Sequence, residues 1–249
     1  MELVSDKPYE RLIRLAESYF DRYGDCFLGV GWTKRQEEAA ARYRVMLDLL
    51  APEADQPVTL LDFGCGASHL YEYMLKHGVR NVSYSGLDLS PRFLACSREK
   101  FPQNTYYDLD VLEDDRLPTF DYVVMNGIFN SKTDLSFEDM LAYCRRLILR
   151  VFEKTRKGLA FNVMSKQVDW ERDDLFHLPL DRLLTFLSRE VSRHVVIRHD
   201  YGLYEYTAYV YKNPTVPGQS GAKRLLDGIL PPDEAVPNVP CPGPDGERA

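Results

Sequence analysis

The chain has no excess of positive charge. Its 31 Lys and Arg stand against 38 Asp and Glu, giving a formal net charge of −7. Phosphate contacts need clustered cations, and no basic stripe occurs, so nucleic acid is disfavoured as a partner. No apolar run approaches the roughly 18–20 residues of a membrane span, so no membrane partner is expected. Cysteine is sparse: Cys26, Cys65, Cys96, Cys144 and Cys241 form no Cys-x-x-Cys pair, and no Cys/His cluster has zinc spacing. No metal site is expected, and reduced thiols in a cytoplasmic protein follow. The opening Met1-Glu-Leu-Val-Ser-Asp6 has neither a basic start nor an apolar core, so no secretory leader is expected. Internal repeats are absent too. What remains is an ordinary mixture, 45% hydrophobic and 28% charged over 249 residues, long enough to bury a sizeable core.

Within that ordinary mixture one stretch stands out. Val58 to Leu61 is an apolar, partly β-branched run that reads as a buried parallel strand. It leads into Asp62-Phe-Gly64-Cys-Gly66-Ala-Ser68, and then into His69 to His77, whose Leu70, Tyr73 and Met74 have helical spacing before Gly78. Strand, glycine turn and helix form half of a nucleotide-binding βαβ unit. Without a Cβ, Gly64 and Gly66 can take positive φ and lie close to a ligand. A second strand ends at Asp88, a spacing that suits a carboxylate in reach of a ribose diol. A dinucleotide fingerprint wants a third glycine where this chain has His69, and Asp62 would repel a pyrophosphate while suiting a cationic amino group.

The pattern Asp62-x-Gly64-x-Gly66-x-Ser68 followed by strand-end Asp88 resembles class I S-adenosylmethionine-dependent methyltransferases. The likeness continues through Tyr107-Asp-Leu-Asp110-Val111, Phe120-Asp-Tyr-Val-Val-Met-Asn126-Gly127 and a closing strand pair near residue 200. It implies an α/β, Rossmann-like fold: a seven-stranded, mostly parallel sheet with an antiparallel last strand, helices on both faces and an N-terminal helical lid. It implies S-adenosylmethionine as cofactor, with Asp62, Gly64, Gly66, Ser68, Asp88, Leu89 and Asn126 around it. It also makes Asp110 the acceptor for the adenine amino group, with Val111 against the ring and Asp108 as the competitor for that place. The expected division is a lid over 1–50, a catalytic domain over 51–213 and a flexible tail over 214–249. About half of the 15 prolines fall in that tail, which cannot bury enough apolar area to offset its ordering entropy.

Around this frame, Tyr9 to Phe20 carries a helical apolar stripe, and a glycine-rich stretch to Trp32 separates it from a second helix, Gln36 to Leu50. Lid positions Tyr19, Tyr23, Trp32, Arg42 and Tyr43 are candidates to cover the site, with Arg42 placed to clamp a carboxylate. Ser90 should cap a helix through Pro91. The loop after the fourth strand, Asn126 to Lys132, offers Asn126 and Asn130 to hold a substrate heteroatom and Phe129 to wall the site. Asn162 ends the fifth strand, and the segment from Val168 to His177 reads as a charged, aromatic insert on the substrate side. Residues Arg193 to Tyr211 read as two strands joined by a tight turn.

Methyl transfer asks the protein for orientation and, for a hydroxyl acceptor, a base. The candidates are His199, Asp200 and Glu205, with His177 and Asp174 beside them; alternation puts His199 and Tyr201 on one side and Asp200 on the other. Asp169, Glu171, Asp173, Asp174, Asp200 and Glu205 hint at a cationic acceptor, hence N-methylation of a small amine or arginine-like guanidine, as in secondary metabolism. O-methylation of a sugar or another hydroxylated intermediate with His199 as base, and a non-catalytic sensor of S-adenosylmethionine or another nucleotide, stay open. The partner is expected to be a small molecule; the oligomeric state is not read, a homodimer being compatible.

Overall fold

The computed structural model describes residues 7, 9–32, 35–53 and 56–214. The expected tail from residue 215 onward lies outside them. Helix α1 (Tyr9–Tyr23) and α2 (Gln36–Leu47), the latter followed by a 3-10 turn, precede the sheet. Then come β1 (Val58–Phe63), α3 (His69–Lys76), β2 (Val82–Leu87), α4 (Pro91–Lys100), β3 (Thr105–Tyr107), β4 (Phe120–Met125) and α5 (Phe137–Glu153). The chain continues through β5 (Thr155–Ser165), β6 (His177–Leu178), α6 (Leu180–Phe186) with a π turn to Val191, β7 (His194–Arg198) and β8 (Glu205–Tyr211).

The sheet runs β3-β2-β1-β4-β5-β8-β7, and the two-residue β6 pairs with the end of β5, making eight strands rather than seven. Only β8 is antiparallel to its neighbours. Strand β1 is central because nearly every residue is buried on both faces, which only an apolar run tolerates. Alternation then sorts the core. Leu61, Val123, Met125, Phe161 and Tyr206 join the side chains of α5 and α6, while Val58, Leu60, Val124 and Tyr209 join those of α2 and α3. Asn162 shares the side of Ala160, and Glu205 that of Tyr209, so both face α2.

Ser90 caps α4 as expected, its Oγ accepting the Phe93 N–H at 3.3 Å. Helix α2 contributes Ala39, Tyr43, Met46 and Leu47 to the sheet's core. By contrast, Tyr9 is the one buried residue of α1, which crosses the sheet's carboxyl edge and is tied down by polar side chains. Glu17 accepts from Ser90 at 2.7 Å and Asp134 from Arg11 at 2.6 Å; Asp21 pairs with Arg92 and Asp110 with Tyr9. No described helix is long and apolar enough to cross a membrane.

One expectation fails here. The link between β7 and β8 is not a tight turn but residues 199–204, so period-two alternation does not extend through His199, Asp200 and Tyr201.

Candidate active site

The carboxyl ends of β1, β2, β4 and β5 and the start of antiparallel β8 converge on a cavity of about 1000 Å³, roofed by α1, residues 24–32 and the start of α2. It spans the point where strand order reverses between β1 and β4, the usual ligand position in an open α/β sheet. The cavity therefore has two halves, one over β1 and β2 and one over β4, β5 and β8.

In the first half, Gly64 and Gly66 hold φ of +76° and +51°. A Cβ on Gly64 would stand 2.1 Å from the Ile128 Cδ1, so the glycine lets the β4 loop close against the turn. Gly64→Ala should cost about 1–3 kcal/mol, seen as a lowered Tm; an unchanged Tm would contradict this close approach. Asp88 accepts from the Gly66 N–H and the Ser90 N–H, each at 2.9 Å, which locks the two strand tips together. Asp62 is 3% exposed and accepts from the Tyr84 hydroxyl at 2.8 Å. Burial pushes the Asp62 carboxyl up to about 7, with the nearby Asp88 adding to the shift, and burial pushes Asp88 up to about 6 against its backbone N–H partners. Neither carboxylate has a cationic partner among the described residues.

Leu89 and Tyr23 also line this half, but Ser68, Asp110 and Val111 do not. Ser68 is fully buried at a left-handed φ of 60°, its hydroxyl donating to Ser97 at 2.8 Å; it builds the contact between α3 and α4. Val111 is in the core. Asp110, rather than exposed Asp108, is the engaged carboxylate: it takes the Tyr9 hydroxyl, Lys7 Nζ at 3.3 Å and the Leu112 N–H at 3.0 Å. Tyr9 lines the cavity, so a ligand could reach Asp110 only by displacing it.

The second half is built on Glu205, which is 1% exposed. Arg42 Nε donates to both of its carboxylate oxygens at 3.0 Å, Asn162 Nδ2 donates at 2.8 Å and Asn130 Nδ2 at 3.1 Å. Asn162 Oδ1 in turn accepts the Gly127 N–H at 2.7 Å, holding the β4 loop. The Arg42 guanidinium lies 4.7 Å from the Trp32 ring centroid, a cation–π contact. Two buried atoms of this network, Arg42 Nη1 and Asn130 Oδ1, and Asn126 Oδ1 outside it lack a partner among the described residues, and all three residues line the cavity. The Asn130 orientation is fixed, because the opposite flip would set its oxygen against the Glu205 carboxylate.

Several residues singled out in the sequence stand elsewhere. His199 is exposed and meets only the edge of Tyr206, while exposed Asp200 is paired to Arg198 at 2.7 Å; neither lines the cavity. The Tyr201 hydroxyl is bonded to Thr207 at 3.0 Å, outside the cavity. Phe129 is fully buried against Phe161, so it is core, and its neighbour Ile128 is the wall. Asn162 supports the site from behind. Asp174 does line it, but Arg172 holds its carboxylate at 2.6 Å and keeps its pKa below the ordinary range. His177 lines it with both ring nitrogens engaged, by the Ser165 carbonyl at 2.7 Å and the Arg172 N–H at 3.2 Å. Trp32 and Arg42 both line the cavity, with Arg42 bound through Nε to Glu205. The sequence reading missed Tyr9, Ile128 and the His69–Asp25 contact at 2.7 Å that pins residues 24–32 to the turn. Cys65, Cys96 and Cys144 are free thiols.

Comparison with known proteins places this geometry. A family model described as a methyltransferase domain matches residues 61–149. Rv1506c of Mycobacterium tuberculosis, assigned as a methyltransferase, is 30% identical over 162 residues, covering 64% of this chain and 96% of its own. Among solved structures, the magnesium protoporphyrin IX methyltransferase of Synechocystis PCC 6803 with bound S-adenosylmethionine aligns with a TM-score of 0.59 at 12% identity, over 85% of this chain and 100% of that one. The 1,6-didemethyltoxoflavin-N1-methyltransferase of Burkholderia thailandensis aligns with a TM-score of 0.53 at 18% identity, over 86% and 93%. At such identities these two structures share the fold.

Proposed function

Because the chain belongs to the S-adenosylmethionine-dependent methyltransferases, we propose that its cavity methylates a nitrogen of a small molecule, with the cofactor over β1 and β2 and the acceptor over β4, β5 and β8. The residues present fit that cofactor. Buried Asp62 and half-buried Asp88 are carboxylates without a cationic partner among the described residues, matching an ammonium group and a ribose diol. S-adenosylmethionine, when bound, supplies an electrophilic methyl group on a sulfonium.

The observation that carries the nitrogen reading is the unpartnered amide oxygen of Asn130, buried at the cavity wall and fixed in orientation by Glu205, with the unpartnered Asn126 amide in the same loop. Acceptor atoms of this kind bind N–H groups and orient the nitrogen lone pair. A hydroxyl acceptor wants a base of nearly neutral pKa beside it; on the acceptor side His199 is outside the cavity and His177 is fully bonded, which counts against O-methylation. The acidic cluster offered for a guanidinium is also largely spoken for, since Glu171, Asp174, Asp200 and Glu205 are each paired with Lys or Arg. A neutral amine or ring N–H is therefore the better match. Mass-spectrometric analysis of products from matched amine and hydroxyl compounds tests this. N-methyl products are expected, and exclusively O-methyl products would overturn the reading. Asn130→Ala should lower kcat/KM about tenfold through one lost hydrogen bond while leaving cofactor affinity within about twofold.

The two raised carboxyls give the cofactor step a pH dependence. A carboxyl whose folded-state pKa exceeds its unfolded value favours the fold at low pH, and that contribution is lost as pH rises through about 7 for Asp62 and about 6 for Asp88. A cationic ligand needs the ionised form, so binding should release a proton in that window. Affinity for S-adenosylmethionine should fall about tenfold between about pH 8 and about pH 6. Calorimetry across this range should show it, with the slope flattened in Asp62→Asn. Equal affinity at both ends would contradict the assignment.

A further inference from the structure

The cavity mouth gathers exposed apolar surface that the cofactor half leaves unused. Of the large hydrophobic side chains exposed among the described residues, Leu15, Tyr19, Trp170 and Tyr204 all line it, with Trp170 71% and Tyr204 59% exposed; Leu75, Leu180 and Val196 lie elsewhere. An apolar concentration of this kind marks a binding surface. Trp170 and Tyr204 come from adjacent loops: the Tyr204 hydroxyl lies 3.5 Å from Asp169 Oδ2, and its carbonyl accepts the Ser165 N–H at 2.9 Å. Tyr204 directly precedes Glu205, whose carboxylate holds the Asn130 amide, so the aromatic mouth is tied to Asn130 through the start of β8. Met164 and Leu175 extend the same apolar wall inward. At about 1000 Å³ the cavity is at the upper end of the range for a single small-molecule ligand, which leaves room beside the cofactor for a bulky second one.

We infer that the methyl acceptor carries a planar aromatic body, its polar edge against Asn126 and Asn130 and its faces against Trp170 and Tyr204. The edge rests on the nitrogen reading above; the body rests on the mouth alone. A small hydrophilic guanidine would leave those aromatic faces in water, whereas a fused-ring compound covers them by stacking.

The chain's two tryptophans, Trp32 and Trp170, both line the cavity, so binding can be read without turnover. The full chain saturated with S-adenosylhomocysteine is titrated by calorimetry and tryptophan fluorescence with 3-aminoquinoline, 3-hydroxyquinoline and agmatine. The aminoquinoline is expected to bind at least about tenfold more tightly than agmatine and to quench emission. Trp170→Ala and Tyr204→Ala should each weaken it about tenfold while leaving S-adenosylhomocysteine affinity within about twofold. Hydroxyquinoline bound as tightly as aminoquinoline would support the aromatic body while counting against the nitrogen reading. Agmatine bound as tightly as the quinolines, or quinoline affinity unchanged in both variants, would overturn the aromatic body and leave the nitrogen reading intact.

Discussion

Glu205→Ala is expected to destabilise the protein by about 3–5 kcal/mol, the largest loss of any single side chain facing the cavity. The change strips a carboxylate that is 1% exposed from Arg42, itself 9% exposed, and leaves a guanidinium buried without its counter-charge. It also orphans the Asn130 and Asn162 amides, and Asn162 anchors the β4 loop through Gly127. Removing one partner of a buried ion pair costs far more than the pair itself contributes. The double variant Arg42→Leu with Glu205→Leu should therefore recover more than half of the loss, because no buried charge remains. Denaturant unfolding of the single and double variants checks both statements. A loss below about 1 kcal/mol for Glu205→Ala would show that Arg42 finds water or another partner, and would remove the network from the account.

Asp88→Ala should weaken cofactor binding about 100-fold. A carboxylate accepting hydrogen bonds from a diol is worth about 1.5–3 kcal/mol, and this one also ties the Gly66 and Ser90 N–H groups at 2.9 Å, so its removal loosens the turn. Asp88→Asn keeps one acceptor oxygen and should fall between the two. Thermal unfolding of both variants separates the loss of a ligand contact from the loss of the turn: a variant that binds poorly yet unfolds near the wild-type temperature has lost the contact. Unchanged affinity in Asp88→Ala would remove the β2 tip from the cofactor site.

The elements that were legible are those decided by local chemistry. Strands β1, β4 and β5 carry the apolar runs 60–61, 122–125 and 159–161 because both faces are covered there, and Ser90 caps α4 through its own hydroxyl. The positive-φ glycines of the turn were likewise written in the sequence, as were Asp62 and Asp88 at strand tips. Partnerships across the chain were not. Arg42 and Glu205 lie 163 positions apart, and no spacing rule joins a lid-helix arginine to a glutamate at the start of β8. The same holds for Tyr9 with Asp110. His199 and Asp200 were misplaced because alternation was extended past the end of β7, where the backbone leaves the sheet. Ser68 fitted a motif position, yet its left-handed backbone turns its hydroxyl toward Ser97 rather than toward the cavity. Phe129 shows the limit of reading a loop aromatic as a wall: a residue of that size in an edge-to-face contact with Phe161 stabilises the core, and smaller Ile128 is left to line the site.

The central claim is that one cavity is divided between a cofactor half governed by Asp88 and an acceptor half governed by Asn130. Calorimetric titration of S-adenosylhomocysteine into the wild-type chain, Asp88→Ala and Asn130→Ala tests it most directly. The account predicts micromolar binding to the wild type, about 100-fold weaker binding to Asp88→Ala and binding to Asn130→Ala within about twofold of wild type. Equal losses in the two variants, or a loss confined to Asn130→Ala, would contradict the division.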